Sequence, residues 1–297
     1  MYPRTFQYHR ARSLPDAVSL LMELGGDARL LAGGQSLIPL MKLRLSAPSH
    51  LVDLSFVREA TYIHANGELR LGAMTRHAEI AASDDVATIP ILHDCAQGIA
   101  DPQVRNMGTI GGSIAEADPT GDWAPVLMAV GAVVEILGPG GERSVDIADF
   151  TQDAFTTALQ QGELVREIVV PRQPSRSGGA YLALKRCAPV YASASVAVQL
   201  TMHDDAVCND ARVYVGVLGL TPSRVQAAEG ALRGQQVTAS KMEDVRAAIM
   251  DVAQPVSDMR GSAEYKRQAA GALGKLACAA ALRRVRGETV EIEHVYA

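Results

Sequence analysis

The sequence predicts an α+β protein: a front part mixing strands and helices, then a C-terminal part of antiparallel sheet packed with helices. Three observations carry this expectation. Strand-like runs in the first half meet at Asn66-Gly67 and at Gly138-Pro139-Gly140-Gly141, and such turns join antiparallel neighbours. Proline, serine and glycine concentrate over 172–179, which marks a linker. Beyond it come three strand-like stretches and then three helical ones. A chain of 297 residues holds one large domain or two of ordinary size, and the linker favours two. The expected division is 1–175, itself split near 55, and 176–297.

Residues 14–24 read as an amphipathic helix, capped by Ser13, with Pro15 in its first turn and Asp16 near its N-terminus. Gly25-Gly26 ends it. A strand over 28–32 is followed by a helical turn over 37–45 and a second strand over 50–54. The Asn66-Gly67 hairpin follows, with His64 an ordinary strand residue. Helices are expected over 75–82, 89–100 and 123–130. Strands over 132–137 and 143–147 flank the second glycine cluster, which is therefore a turn. A strand over 162–171 enters the linker. After it come strands over 180–186, 193–202 and 210–218, then helices over 223–232, 242–253 and 262–285. The last places Ala269, Leu273, Leu276, Ala277 and Ala280 on one face.

Composition removes several function classes. Net charge is −5 with no basic stripe, which argues against a nucleic-acid surface. The N-terminus lacks the apolar core of a secretory signal, and the most apolar run, 126–137, is cut by Gly131 and Glu135. A cytoplasmic protein is expected, either free or at the inner face of the membrane. Cys95, Cys187, Cys208 and Cys278 are far apart, and the histidines are dispersed, so no metal or iron–sulfur site is expected on this chain. No Gly-x-Gly-x-x-Gly fingerprint, phosphate-binding P-loop or Gly-x-Ser-x-Gly elbow is present. With no acid–base constellation around a nucleophile, a bound cofactor that brings its own reactivity fits best.

The chain is organised around residues 103–122, where Gly108, Gly111 and Gly112 crowd together beside Thr109 and Ser113. Glycines allow positive φ or close approach, and successive amides in such a bend form an anion-binding concavity. Leu31-Ala32-Gly33-Gly34-Gln35-Ser36 has the same character. Two loops of this kind predict two cradles for one extended, phosphate-bearing ligand.

These stretches carry a resemblance. Ala32–Ser36 with the following Leu37-Ile-Pro-Leu-Met-Lys-Leu-Arg44, and Thr109-Ile-Gly-Gly-Ser-Ile-Ala-Glu-Ala-Asp-Pro-Thr-Gly-Asp122, resemble the FAD-binding subunit of molybdenum hydroxylases. Within that xanthine dehydrogenase family the likeness is nearest to the medium subunit of aerobic carbon monoxide dehydrogenases. It continues through Tyr181-Leu-Ala-Leu-Lys-Arg186 and Gly261-Ser-Ala-Glu-Tyr-Lys-Arg267. The resemblance implies a vanillyl-alcohol-oxidase (PCMH) type FAD fold, two subdomains cradling the cofactor and a third closing over it. Ala32, Gly33, Gly34, Gln35 and Ser36, flanked by Leu31 and Leu37, would wrap the pyrophosphate through backbone N–H groups. Thr109, Gly111, Gly112 and Ser113 would bind it from the other side, followed by Ala117 and Asp118. Asp122 would accept a hydrogen bond near the adenosine half. Ile99 and Leu164 would line the cofactor, Lys185 would reach the flavin, and Tyr191 would lie beside the isoalloxazine. FAD is expected to be non-covalent, because no histidine falls in either loop and Gln35 stands where a relative carries one.

The resemblance also implies partners. A large subunit would carry the molybdenum cofactor and a small one the [2Fe–2S] clusters, together forming a dimer of heterotrimers. Electrons would pass singly through the clusters to FAD, then to quinone, NAD⁺ or oxygen. Two alternatives stay open at this point: a stand-alone FAD oxidoreductase of the same fold, and a flavin-free binding module.

Overall fold

The computed structural model describes residues 2–203, 207–292 and 295–296. Its first unit comprises β1 (Gln7–Arg10), α1 (Leu14–Leu24), β2 (Ala28–Leu31), α2 (Leu37–Lys42) and β3 (His50–Asp53). The strands are parallel, in the order β1-β3-β2. α1 is set as its caps dictate: Ser13 Oγ accepts from the Asp16 N–H at 3.1 Å, and Gly25 closes the helix at φ 70°. Leu14, Ala17 and Val18 bury themselves in one small core with Val52, Leu54 and Leu164. β1 was not expected from the sequence, because Gln-Tyr-His-Arg has no apolar alternation. Pairing with β3 and the Tyr8 hydroxyl on Asp53, at 2.5 Å, hold it.

The second unit runs through β4 (Ile63–Ala65), β5 (Leu69–Gly72), α3 (His77–Ala81), α4 (Asp84–Ala87), α5 (Pro90–Gly98), α6 (Pro102–Arg105) and α7 (Ile110–Glu116). It continues with α8 (Trp123–Val130), β6 (Val133–Gly138), β7 (Gly141–Asp146), α9 (Ile147–Phe150), β8 (Thr151–Asp153), β9 (Thr156–Thr157) and β10 (Leu164–Val170). Both expected hairpins form, and β10 inserts between them to give the antiparallel order β4-β5-β10-β6-β7. α8 is apolar all round and correspondingly buried, with Trp123 fully enclosed.

The third unit holds β11 (Ser177–Lys185), β12 (Ala194–Met202), β13 (Cys208–Gly216), β14 (Ser223–Arg224), α10 (Gln226–Leu232), α11 (Ala239–Val252), α12 (Ala263–Val285) and β15 (Val295–Tyr296). Its sheet, in the order β14-β13-β12-β11-β15, packs under α12. Three sequence expectations change here. The linker is shorter than 172–179, because Gly178 and Gly179 lie inside β11. A Cβ on Gly178 would stand 2.8 Å from the Ala281 carbonyl of α12, so that glycine serves close packing rather than flexibility. The helix expected from 223 begins at Gln226, since Ser223 and Arg224 pair with β13. Leu276, expected inside, is 53 % exposed: the buried face of α12 runs through Ala270, Leu273, Gly274, Ala277 and Ala281.

A buried ion pair is among the polar contacts that tie the third unit to the second. Arg284 of α12 donates twice to Asp94 of α5, at 2.6 and 2.8 Å, with both side chains almost fully enclosed. Among the described residues, no helix is long and apolar enough to cross a membrane.

Candidate functional site

The three units meet around a cleft of about 480 Å³. Its walls are the stretch after β2, the start of α7, the segment 160–165 entering β10, and Tyr191 from the loop between β11 and β12. The two glycine stretches touch. A Cβ on Gly33 would lie 2.2 Å from the Met107 carbonyl oxygen and 2.6 Å from Gly108 Cα, so only glycine lets the backbones meet. Gly112 faces Ala32 from the other side, its Cβ position 3.6 Å from the alanine methyl.

The first stretch is a concavity of amides. Gly34 turns at φ 71°, and the backbone N–H groups of residues 32–36 find no acceptor among the described residues. Donors left unpaired in a row, along the wall of a cleft, are arranged for an anion. Gln35 bends back to bond the Gly33 carbonyl at 3.2 Å, which braces the turn.

The second stretch departs from expectation. It is the opening of helix α7, with Thr109 as its cap, rather than a loop. Its amides are already committed: Ile110 to the Thr75 carbonyl, Gly111 to that of Ala73, Gly112 to Thr109 Oγ1, and Ser113 to the Thr109 carbonyl. Gly111 is a packing glycine, for a Cβ there would meet Ala73 O at 2.7 Å and Ala73 Cα at 2.8 Å. One amide cradle therefore exists instead of two, and the second wall offers side chains and the bare backbone of Gly108.

Of the residues singled out from the sequence, Ala32, Gly33, Gly34, Gln35, Ser36, Leu37, Ile99, Thr109, Gly111, Gly112, Ser113, Asp122, Leu164 and Tyr191 line this one cleft. Leu31, Ala117, Asp118 and Lys185 do not. Leu31 ends β2, and its side chain supports Gly34 from within. Ala117 closes α7 in the left-handed conformation, φ 48°. Asp118 starts a turn, accepting from the N–H and hydroxyl of Thr120 at 2.8 and 2.7 Å.

Lys185 is 2 % exposed and donates to the Gly98 carbonyl at 2.6 Å and to Asp122 at 3.4 Å. It therefore reaches the cleft only through Asp122, which also accepts from the Tyr181 hydroxyl at 2.6 Å. Asp122 and Lys185, expected at opposite halves of the cofactor, form a single buried pair. Tyr191, half-exposed, stands at the cleft with its phenol pushed up to about 12, first by desolvation and then by Asp118.

Sequence reasoning missed His77. Its ring is buried against Trp123, whose Nε1–H donates to His77 Nδ1 at 3.2 Å. Burial depresses its pKa to about 4, Asp122 opposing and Arg105 assisting, so the ring is neutral at physiological pH. No local pattern marks it, because its partners Gly108 and Trp123 lie far along the chain. Glu116 also lines the cleft, its pKa raised first by burial and then by Asp118.

An amide concavity between two α+β units, with an aromatic from a third unit beside it, defines a protein that holds an elongated phosphate-bearing cofactor. Comparison with known proteins agrees. Residues 4–173 match the family described as FAD binding domain in molybdopterin dehydrogenase, and residues 179–284 match the CO dehydrogenase flavoprotein C-terminal domain. The carbon monoxide dehydrogenase medium chain of Afipia carboxidovorans is 41 % identical over 96 % of this chain and all of that one. The solved carbon monoxide dehydrogenase of Hydrogenophaga pseudoflava superposes at TM-score 0.92, with 38 % identity, covering 96 % of this chain and 99 % of that one. Quinoline 2-oxidoreductase from Pseudomonas putida 86 superposes at 0.90, with 30 % identity and the same coverage. The chain belongs to the family of FAD-binding subunits of molybdopterin dehydrogenases, the flavoprotein component of multi-subunit oxidoreductases. The α+β fold expected from the sequence is the fold of these relatives.

The residues present fit FAD. The unpaired amides of 32–36 suit a diphosphate, Ile99 and Leu164 supply apolar wall, and the touching glycines leave room for close backbone approach.

Proposed function

We propose that this chain is the electron-transfer subunit of a molybdenum hydroxylase, receiving electrons from [2Fe–2S] clusters on a small partner and passing them to an external acceptor. Bound FAD supplies the step between one-electron donors and a two-electron acceptor such as quinone, NAD⁺ or oxygen. The observation that carries the reading is the row of unpaired amides at residues 32–36, set against Met107 and Gly108.

In this reading residues 1–175 hold the cofactor and 176–297 close over it. The amides of 32–36 bind the diphosphate, and Ser113 and Thr109 face it from the second wall. Ile99 and Tyr191 exclude water from the flavin end. Asp122 is fixed by Tyr181 and Lys185, so its charge is compensated and its position set before the cofactor arrives. Two further titratable groups at the cleft are similarly engaged, Glu163 by Arg143 and His77 by Trp123. Such groups position rather than react, which suits a subunit whose substrate is oxidised elsewhere. Relatives named for carbon monoxide and for quinoline share this fold, so the substrate is set by the large molybdenum-bearing partner. A dimer of heterotrimers in the cytoplasm, free or against the inner face of the membrane, is part of the proposal.

Affinity purification of the tagged chain from its own cells tests this. The expected product is yellow and brings down one molybdopterin-bearing and one iron–sulfur chain. A solitary yellow chain that turns over a small substrate favours the stand-alone oxidoreductase. A colourless chain that ignores added FAD leaves only a binding module.

A further inference from the structure

Resting on the FAD reading, we propose that His77 is a direct cofactor ligand, its Nε2–H donating to a diphosphate oxygen of FAD where residues 33 and 108 meet. The first ground is the tautomer. Trp123 Nε1 can only donate, so the His77 Nδ1 it reaches at 3.2 Å must accept. A neutral ring whose Nδ1 accepts carries its proton on Nε2. The second ground is position. The His77 N–H donates to the Gly108 carbonyl at 3.0 Å, and Arg76 bridges Thr109, so the start of α3 is clamped to the second glycine stretch.

A Cβ on Gly108 would stand 2.9 Å from both Cδ2 and Nε2 of the ring, which places that edge directly on Gly108. Gly108 is also what Gly33 touches. The ring edge and the bare backbone of Gly108 therefore lie together on the second wall, where it meets the stretch that carries the unpaired amides of 32–36. His77 is 4 % exposed, lines the cleft, and has no acceptor for Nε2–H among the described residues. Among the described residues the fully enclosed side-chain polar atoms without a partner are Ser195 Oγ and Gln199 Oε1 and not His77 Nε2, so this ring nitrogen opens on the cleft, where a ligand oxygen can reach it.

Neutrality suits the task. A cation here would have to be desolvated, whereas an N–H held in a fixed tautomer already points at the junction. The charged groups facing the ring are Asp122 and Arg105, which act on it in opposite directions. Trp123 is then a positioning residue: it fixes which nitrogen carries the proton.

The test uses the full chain freed of flavin and titrated with FAD. His77→Phe is expected to weaken binding by on the order of tenfold or more, the usual scale for a lost hydrogen bond to an ionised group. His77→Gln, which keeps an N–H donor, should stay within about threefold of the unaltered chain. A merely structural role for the ring would not be rescued in this way. Ring-¹⁵N-labelled histidine provides a second measurement should His77→Phe fail to fold. The His77 Nε2–H resonance of the unaltered chain, assigned by its loss in His77→Gln, should be present without FAD and shift on its addition. Unchanged affinity in His77→Phe, equal weakening in both variants, or a resonance that ignores bound FAD overturns the assignment. An unaltered chain that takes up no FAD overturns the FAD reading along with it.

Discussion

Gly33→Val abolishes FAD retention and destabilises the N-terminal units. The new Cβ would meet the Met107 carbonyl oxygen at 2.2 Å, Gly108 Cα at 2.6 Å and the Met107 carbonyl carbon at 2.8 Å. All three are backbone atoms, which cannot rotate away as a side chain can. The two stretches must separate, and overpacking of this kind costs about 1–3 kcal/mol or more. Separation also moves the amides of 32–36 away from the second wall, so binding fails even where folding survives. Gly140→Val is the matched control: its Cβ meets nothing within 4 Å, and that variant keeps its flavin. Visible absorbance of the purified variants, with circular dichroism for folding, reads both effects. A yellow Gly33→Val protein of ordinary stability would refute the close contact.

Arg284→Leu produces the largest loss of stability. Its guanidinium holds Asp94 in a two-pronged pair between α12 and α5, and also donates to the carbonyls of Gly179 and Val290 at 2.7 and 2.6 Å. Exposure is 7 % for the arginine side chain and 3 % for the aspartate. Removing the arginine leaves Asp94 enclosed, still accepting from the Tyr181 N–H at 3.1 Å but without this cation, at about 3–5 kcal/mol. That corresponds to a melting temperature lower by on the order of 10 °C. The double change Asp94→Leu with Arg284→Leu removes the enclosed carboxylate as well and should lose less than the single variant. Calorimetry of the three proteins decides. A single variant that melts with the unaltered chain would show the pair to be structurally idle.

What could be read from the sequence was what neighbouring residues encode. The helix at 14–24 has its cap, proline and closing glycines all between Ser13 and Gly26, and it forms as expected. Asn66-Gly67 and the 138–141 cluster fix their hairpins locally. The concavity at 32–36 was legible because a second stretch of the same character, around Gly111 and Gly112, made one shared ligand the simpler reading. The second stretch itself was misread. Glycines are poor helix formers, yet Gly111 and Gly112 sit in the first turn of α7, where Ala73 presses on Gly111 and the capping Thr109 hydroxyl stands 2.9 Å from a Cβ on Gly112. Gly178 and Gly179 looked like a linker and proved to be part of β11, Gly178 lying under α12 and Gly179 facing Gln199 and Ile91 on the other side.

Side-chain pairings across long sequence separations were out of reach. Asp122 and Lys185 stand 63 residues apart, His77 and Trp123 46 apart, and Asp94 and Arg284 190 apart. Each pair exists because the fold encloses it, and enclosed charges or donors must find partners wherever the chain supplies them. That is why Asp122 and Lys185, separately attractive as cofactor contacts, turn out to satisfy one another.

Hydrogen–deuterium exchange on the full chain, with and without FAD, bears most directly on the cradle of amides. With no acceptor among the described residues, the N–H groups of 32–36 should exchange rapidly in the flavin-free chain. Added FAD should slow them more than any other segment, while the amides of 110–113, already bonded within the chain, change little. Bound flavin that leaves 32–36 exchanging as before, or that protects 110–113 instead, would contradict the account.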